Sequence, residues 1–298
     1  MKTGILYMIL SGICFAIINF FVKLLGAGPN QDIVEGMQHY PGHELVLARS
    51  VVSFFISFSV IKIKNLPTWG VNKKWLIIRG LSGTIALTIF FYTIEHLPLA
   101  VATTIQYLAP IFTLIFAMII LKERVKTLQW VFVAFAFSGI ALIAYDKLIN
   151  TSSKFEEVSL LWIGMGILSA VFSGVAYTSI IKLKTTDSPI TIVMYFPLIA
   201  IPMMTIMCFW DFTIPRGIEW IFLLIIGVFT QFAQVLLTRA FHMGAPAVIA
   251  PIQYIGAIYA FLIGFLLFDE TLSIIVDTGI IIVMLSVLIN ALLKNRRS

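Results

Sequence analysis

Residues 105–124 read IQYLAPIFTLIFAMIILKER, and 147 positions later residues 252–271 read IQYIGAIYAFLIGFLLFDET. Ile105, Gln106, Tyr107, Ile111 and Glu123 align without a gap on Ile252, Gln253, Tyr254, Ile258 and Glu270. The same offset pairs Ala100-Val101 with Ala247-Val248, Ala86 with Ala233 and Gly80 with Gly227. One unit is therefore written twice. Each copy sets an amide and a phenol inside an apolar run, a costly place for polar groups that lack a task.

The surrounding composition says what that run is. Apolar residues make up 60% of the chain and charged residues 11%, with a mean hydropathy of +1.03; soluble domains have roughly 45–50% and 25%. This is the profile of an all-α integral membrane protein. Its two cysteines, Cys14 and Cys208, fall in separate apolar segments, so no disulfide framework or CxxC metal site is expected. The pI near 9.3 does not point to nucleic acid, because the basic residues are scattered through short loops.

A helix needs about 20 apolar residues to cross a ~30 Å hydrocarbon layer. Ten stretches meet that length or come close: 4–25, 45–61, 75–94, 99–121, 128–145, 159–181, 190–210, 218–241, 246–268 and 274–293. The first is too long for a signal-peptide core and lacks a small-residue cleavage site, so it stays as a span. Fifteen of the 20 lysines and arginines fall on one side if the amino terminus is cytoplasmic, and nearly all acids fall on the other. By the positive-inside rule both termini are then cytoplasmic. Five spans per copy is an odd number, so the second copy enters the membrane from the opposite side. The expected architecture is ten transmembrane helices in two inverted five-helix repeats, 1–150 and 151–298. A weaker echo, ILSGICFA at 9–16 against ILSAVFSG at 167–174, aligns the first and sixth spans at an offset of 158. Inverted repeats with a site near the midplane are a recurrent plan of secondary transporters.

Helical rise places Gln106 about 12 Å from its nearer span end, with Gln253 at matching depth in the other copy. Tyr107 and Tyr254 follow them. Gln231, Gln234 and Thr238 recur on one face of the eighth span, and Thr84, Thr88, Tyr92 and Glu95 recur every three or four residues in the third. Converging stripes of this kind would line a wettable cavity with neutral hydrogen-bonding groups; the bland reading is that the amides hold helices together. No Asp or Glu falls at mid-depth. Lys23, Arg49 and Glu95 are expected in an outer vestibule, with Arg49 either snorkelling to the interface or pairing with Glu44. His39 and His43 flank Pro41 and Gly42, which break the helix that would align them on a metal.

Several features together resemble the drug/metabolite transporter superfamily, in particular its EamA-like ten-helix permeases, over essentially the whole chain. They are Asn19 and Lys23 in NFFVK and Arg49 in LARSVVSFF. Ala100, Ala102 and Pro110 follow, with Lys122-Glu123-Arg124 where the family shows Gly-Glu-Arg. The second copy supplies Gly244-Ala245-Pro246-Ala247, Pro251 and Asp269-Glu270. The first span departs by lacking the family's Trp-Gly, and Lys122 departs at the glycine. The resemblance implies a cavity lined by the first, third, fourth, sixth, eighth and ninth spans, with Asn19 among its residues, and a metabolite exporter or facilitator in the inner membrane.

The expectation is a secondary transporter, not an enzyme, that moves a small neutral or zwitterionic metabolite by alternating access and needs no cofactor or metal. Its partners are the substrate and the lipid bilayer, with no nucleic acid; self-association is left open. The candidate substrate-binding set is Gln106, Tyr107, Gln253, Tyr254, Gln231, Gln234, Thr84, Thr88, Tyr92 and Asn19. A proton-coupled antiporter is the nearest alternative. An intramembrane enzyme or a non-transporting sensor represents the other classes.

Overall fold

The computed structural model describes residues 2–26, 37–122, 127–149, 155–243, 252, 255–268 and 273–295. Among these, eleven named helices and no strands are found, the one β-type contact being an isolated bridge between Gly26 and Tyr40. They are α1 (Lys2–Leu25), α2 (Gly42–Ile63), α3 (Lys73–His96), α4 (Leu99–Gln106), α5 (Ala109–Leu121), α6 (Thr127–Ile149), α7 (Phe155–Leu183), α8 (Pro189–Cys208), α9 (Glu219–Met243), α10 (Ile255–Leu267) and α11 (Ile274–Asn295). Seven stretches among the described residues are long and apolar enough to cross a membrane, α4 and α5 together forming one of them as Leu99–Ile120. Phe55, Phe135, Leu161, Phe232 and Leu266 point outward from the bundle, as lipid-facing side chains do.

Local chemistry sets the ends of these helices. Ser188 caps α8 by accepting the Thr191 amide, and Pro189 occupies the first turn, where its missing N–H costs nothing. At the far end of α5, Lys122 takes the left-handed conformation (φ 57°, ψ 30°) and its amide closes on Ala117 O. That geometry favours glycine.

The fourth span, expected as one helix over 99–121, is broken. Pro110 has no amide to donate to Gln106 O, so α4 ends at Gln106 and α5 restarts at Ala109 with the proline in its first turn. Tyr107 and Leu108 bridge the break through bonds to Thr103 O, Thr104 O and Ile105 O. Irregular backbone at membrane depth is tolerated where it is buried in protein or lines a cavity. Of the ninth span, expected over 246–268, the described part is Ile252, α10 and Phe268.

The helices pack as interlocked pairs. α3 lies along α7 and α1 along α9; α2 packs on α8 and α9, α3 on α8, α5 on α7, α1 on α10, and α6 on α11. Serine hydroxyls fasten two of these contacts. Ser11 Oγ donates to Ala233 O (2.9 Å) between α1 and α9, and Ser169 Oγ donates to Ala86 O (2.7 Å) between α7 and α3. α6 and α11 touch through glycine backbones. A Cβ on Gly139 would lie 2.6 Å from Gly279 O, and one on Gly279 would lie 2.7 Å from Gly139 O, so neither position has room for a side chain.

Candidate functional site: a cavity with a cationic wall

Inside the bundle is a cavity of about 990 Å³ of atom-free space, counting its open mouth. α1, α2, α3, α4, α7, α8 and α9 contribute to its wall, as do Tyr107 in the helix break and Ala109 of α5. The wall is apolar over much of its area, with Phe15, Phe90, Phe91 and Phe196, and no Asp or Glu lies among the described lining residues.

Gln106 supplies one polar edge. Ending α4 at the proline break frees its side chain to meet α7, where Nε2 donates to Ser173 Oγ (2.7 Å) and Oε1 lies 2.9 Å from Ser169 Oγ, whose single proton it shares with Ala86 O. Tyr107 and Asn19 also line the cavity. Arginines from α2 and α3 form a second polar edge. Arg49 is 1% exposed and Arg79 2%. The Arg49 guanidinium carbon sits 5.5 Å from the Phe91 ring centroid and 5.4 Å from that of Phe196. Arg79 sits 5.8 Å from Phe196 and donates through one Nη to Gln234 Oε1 (2.9 Å).

Several expected site residues face elsewhere. Gln231 turns toward α2 and accepts from Ser53 Oγ (2.5 Å) and Ser57 Oγ (3.1 Å), so it joins helices. Thr84 and Thr88 bond back to Gly80 O and Thr84 O in their own helix, as mid-helix threonines do, and Thr88 Oγ1 also approaches Met204 Sδ. Tyr92 pairs its hydroxyl with His43 Nδ1 (2.5 Å) and stacks on Trp162. None of these four lines the cavity. Gln253 and Tyr254 lie outside the described residues.

The expected outer vestibule is also different. Arg49, whose sequence position suggested the interface or a pair with Glu44, lines the central cavity instead. Lys23 and Glu95 are buried in a closed layer beyond the cavity: Lys23 Nζ donates to Ile94 O (3.1 Å) and Leu97 O (2.9 Å), and it lies near enough to Glu95 for their charges to interact. Above this layer the segment leading into α9 is latched down. Glu44 Oε2 accepts the Thr213 amide, His43 Nε2 meets Asp211 O, and Glu219 accepts from Gln38 N, Arg216 N and the Tyr40 hydroxyl. Burial, then the bond to Glu219, pushes the Tyr40 hydroxyl well above its ordinary pKa. Burying an ionised phenol is unfavourable, so Tyr40 stays a donor.

Arg79, Ser173 and Tyr177 are cavity residues that the sequence reading passed over. For Arg79 a signal existed. It stands six residues beyond the start of α3, hence about 9 Å into the span, although it reads as the last member of the basic cluster begun by Lys73 and Lys74.

Comparison with known proteins fits this geometry. The profile of the EamA-like transporter family matches residues 2–145 and again 160–292. The chain belongs to the EamA-like transporter family. Like its relatives in that family it is a multi-pass membrane transporter and not an enzyme. The pseudopaline exporter CntI of Pseudomonas aeruginosa is 28% identical, over 96% of this chain and 95% of its own length. The riboflavin transporter of Vibrio cholerae is 24% identical, over 89% and 85%. A crystal structure of another protein, 13% identical, covers 100% of this chain and 99% of its own with a TM-score of 0.68, which shows a shared fold.

Proposed function

We propose that this EamA-like protein carries a small, amino acid-like metabolite across the inner membrane by alternating access, with the central cavity as the substrate site. The observation that carries the reading is a cavity bordered by a broken helix, with Gln106 and Tyr107 at the break and a closed layer around Lys23 and Glu95 beyond it. The wall residues run through the middle of α1 and α3 and lie toward the end of α9. With both termini cytoplasmic, the buried Lys23 near the end of α1 lies on the outer side, so the proposed form faces inward. Export or facilitated exchange is the expected direction, favoured by the exporter among the relatives; others are a riboflavin transporter and an S-adenosylmethionine uptake transporter.

Two inverted five-helix halves are part of the proposal. Ala86 and Ala233 are paired by one sequence offset, and Ser11 and Ser169 by the other. The bonds Ser11 to Ala233 and Ser169 to Ala86 are therefore images of each other under exchange of the halves. The same exchange maps the α3–α7 contact onto α1–α9, and α2–α9 onto α3–α8. Bundles that rock about such an axis expose one site to either side in turn.

Proteoliposomes loaded with a cytosolic small-molecule extract test transport without naming the substrate. Vesicles holding the protein are expected to release a defined metabolite that protein-free vesicles retain. Identical release profiles would sink the proposal. A proton-coupled version of the cycle is favoured by one observation, the carboxyl of Glu95 buried in the closed layer beside Lys23. In that version an imposed pH gradient drives release, and Glu95→Gln uncouples it.

A further inference from the structure

The transport reading leaves the cations in the cavity wall without a task. Nε and both Nη atoms of Arg49 have no hydrogen-bond partner among the described residues, and neither has Nε of Arg79. Guanidinium groups 5.4 and 5.8 Å from one ring centroid are at most about 11 Å apart, so in a low-dielectric interior they repel each other. Phenylalanine faces offset part of this through cation–π contacts, but an aromatic ring accepts no N–H bond, and a buried guanidinium lacking acceptors is a strongly unfavourable arrangement. Gln234 answers only one Nη of Arg79. What enters the cavity can supply the missing acceptors.

Resting on the transport reading, we infer that Arg49 and Arg79 are the docking point for a carboxylate of the transported metabolite. A guanidinium held over a ring keeps its fork of N–H groups in plane and free at the edge, the geometry that pairs side by side with a planar two-oxygen acceptor. Phe15, Phe90 and Phe91 take the apolar body of the substrate, and Gln106 faces whatever polar group it carries at the other end. This narrows the substrate class. A zwitterion or carboxylic acid fits, and a molecule without negative charge leaves both arginines unsatisfied.

The test places a single cysteine, Gln106→Cys, in a Cys14→Ser, Cys208→Ser background of the full-length protein. It compares labelling by a negatively charged and a positively charged methanethiosulfonate. The anionic reagent is expected to react about tenfold faster relative to its rate with free thiol, because a cationic cleft concentrates anions. The preference should fall below about twofold when both arginines become Gln, each converted singly as well in case the pair does not fold. Saturating 3-phenylpropionate should slow labelling, whereas 3-phenylpropanamide should not. Arg49→Lys, which keeps the charge and loses the fork, should weaken that protection about tenfold while retaining the reagent preference. Equal rates for both reagents, or equal protection by acid and amide, would overturn the inference. Stronger protection by inorganic phosphate than by the acid would overturn the carboxylate assignment in favour of a phosphate. If neither reagent reacts, the cavity is closed to water, and the transport reading fails instead.

Discussion

Gln231 and Gln234 differ by three positions, yet one is a strut and the other a wall residue. A helix turns about 100° per residue, so side chains three apart diverge by roughly 60°. That is enough to aim Gln231 at Ser53 and Ser57 of α2 and Gln234 at Arg79 and the cavity. Depth was legible in the sequence; azimuth was not, because in a span apolar on every side the hydrophobic pattern does not say which face looks inward. For the same reason Thr84, Thr88 and Tyr92 looked like site residues; Arg49 and Arg79 looked like border charges for another reason, that each lies within two turns of its helix start. Gln231→Leu is expected to lower stability by about 1 kcal/mol, two membrane hydrogen bonds at ~0.6 kcal/mol each, with transport rate preserved in the folded fraction. Gln106→Ala likewise removes two interhelical bonds, to Ser169 and Ser173, and should cost a similar ~1 kcal/mol, but transport should fall beyond the loss of folded protein. Thermal melts and flux measured on the same preparations separate the two roles.

Among the elements, the broken fourth span carries the clearest consequence. Pro110 was visible in the sequence as a proline inside the expected fourth span, and the break it makes is what positions Gln106 and Tyr107. Pro110→Ala restores an amide for Gln106 O and lets α4 run into α5. The expected outcome is a higher melting temperature with slower transport, since the continuous helix stiffens the cavity wall. Lys122 was visible too, as a lysine where similar proteins carry glycine. Its left-handed backbone now gives that difference a physical cost. Lys122→Gly should stabilise the protein by up to about 1 kcal/mol in a thermal melt. A lower melting temperature would show that the lysine side chain compensates locally.

Over the whole molecule, the periodic recurrence of one segment made the helical membrane architecture readable, since a repeat that includes polar residues at depth survives any uncertainty about helix ends. The sequence did not reveal which end of the bundle is shut, because closure depends on contacts far apart in the chain. Glu219 joins residues 38, 40 and 216, and His43 reaches Tyr92 and the carbonyl of Asp211. These latches hold the closed layer above the cavity, so Glu219→Gln is expected to loosen that side and raise reactivity of a cavity cysteine toward impermeant reagents applied there. Unchanged reactivity would mean that the layer around Lys23 and Glu95 closes the path alone. The most direct measurement of the central claim is the labelling of Gln106→Cys from each side of sealed, uniformly oriented proteoliposomes. Alternating access predicts reaction from the side where α1 begins in the resting protein, and from the opposite side as well once the protein is cycling. A cysteine unreactive from both sides, or reachable from one side under every condition, would contradict it.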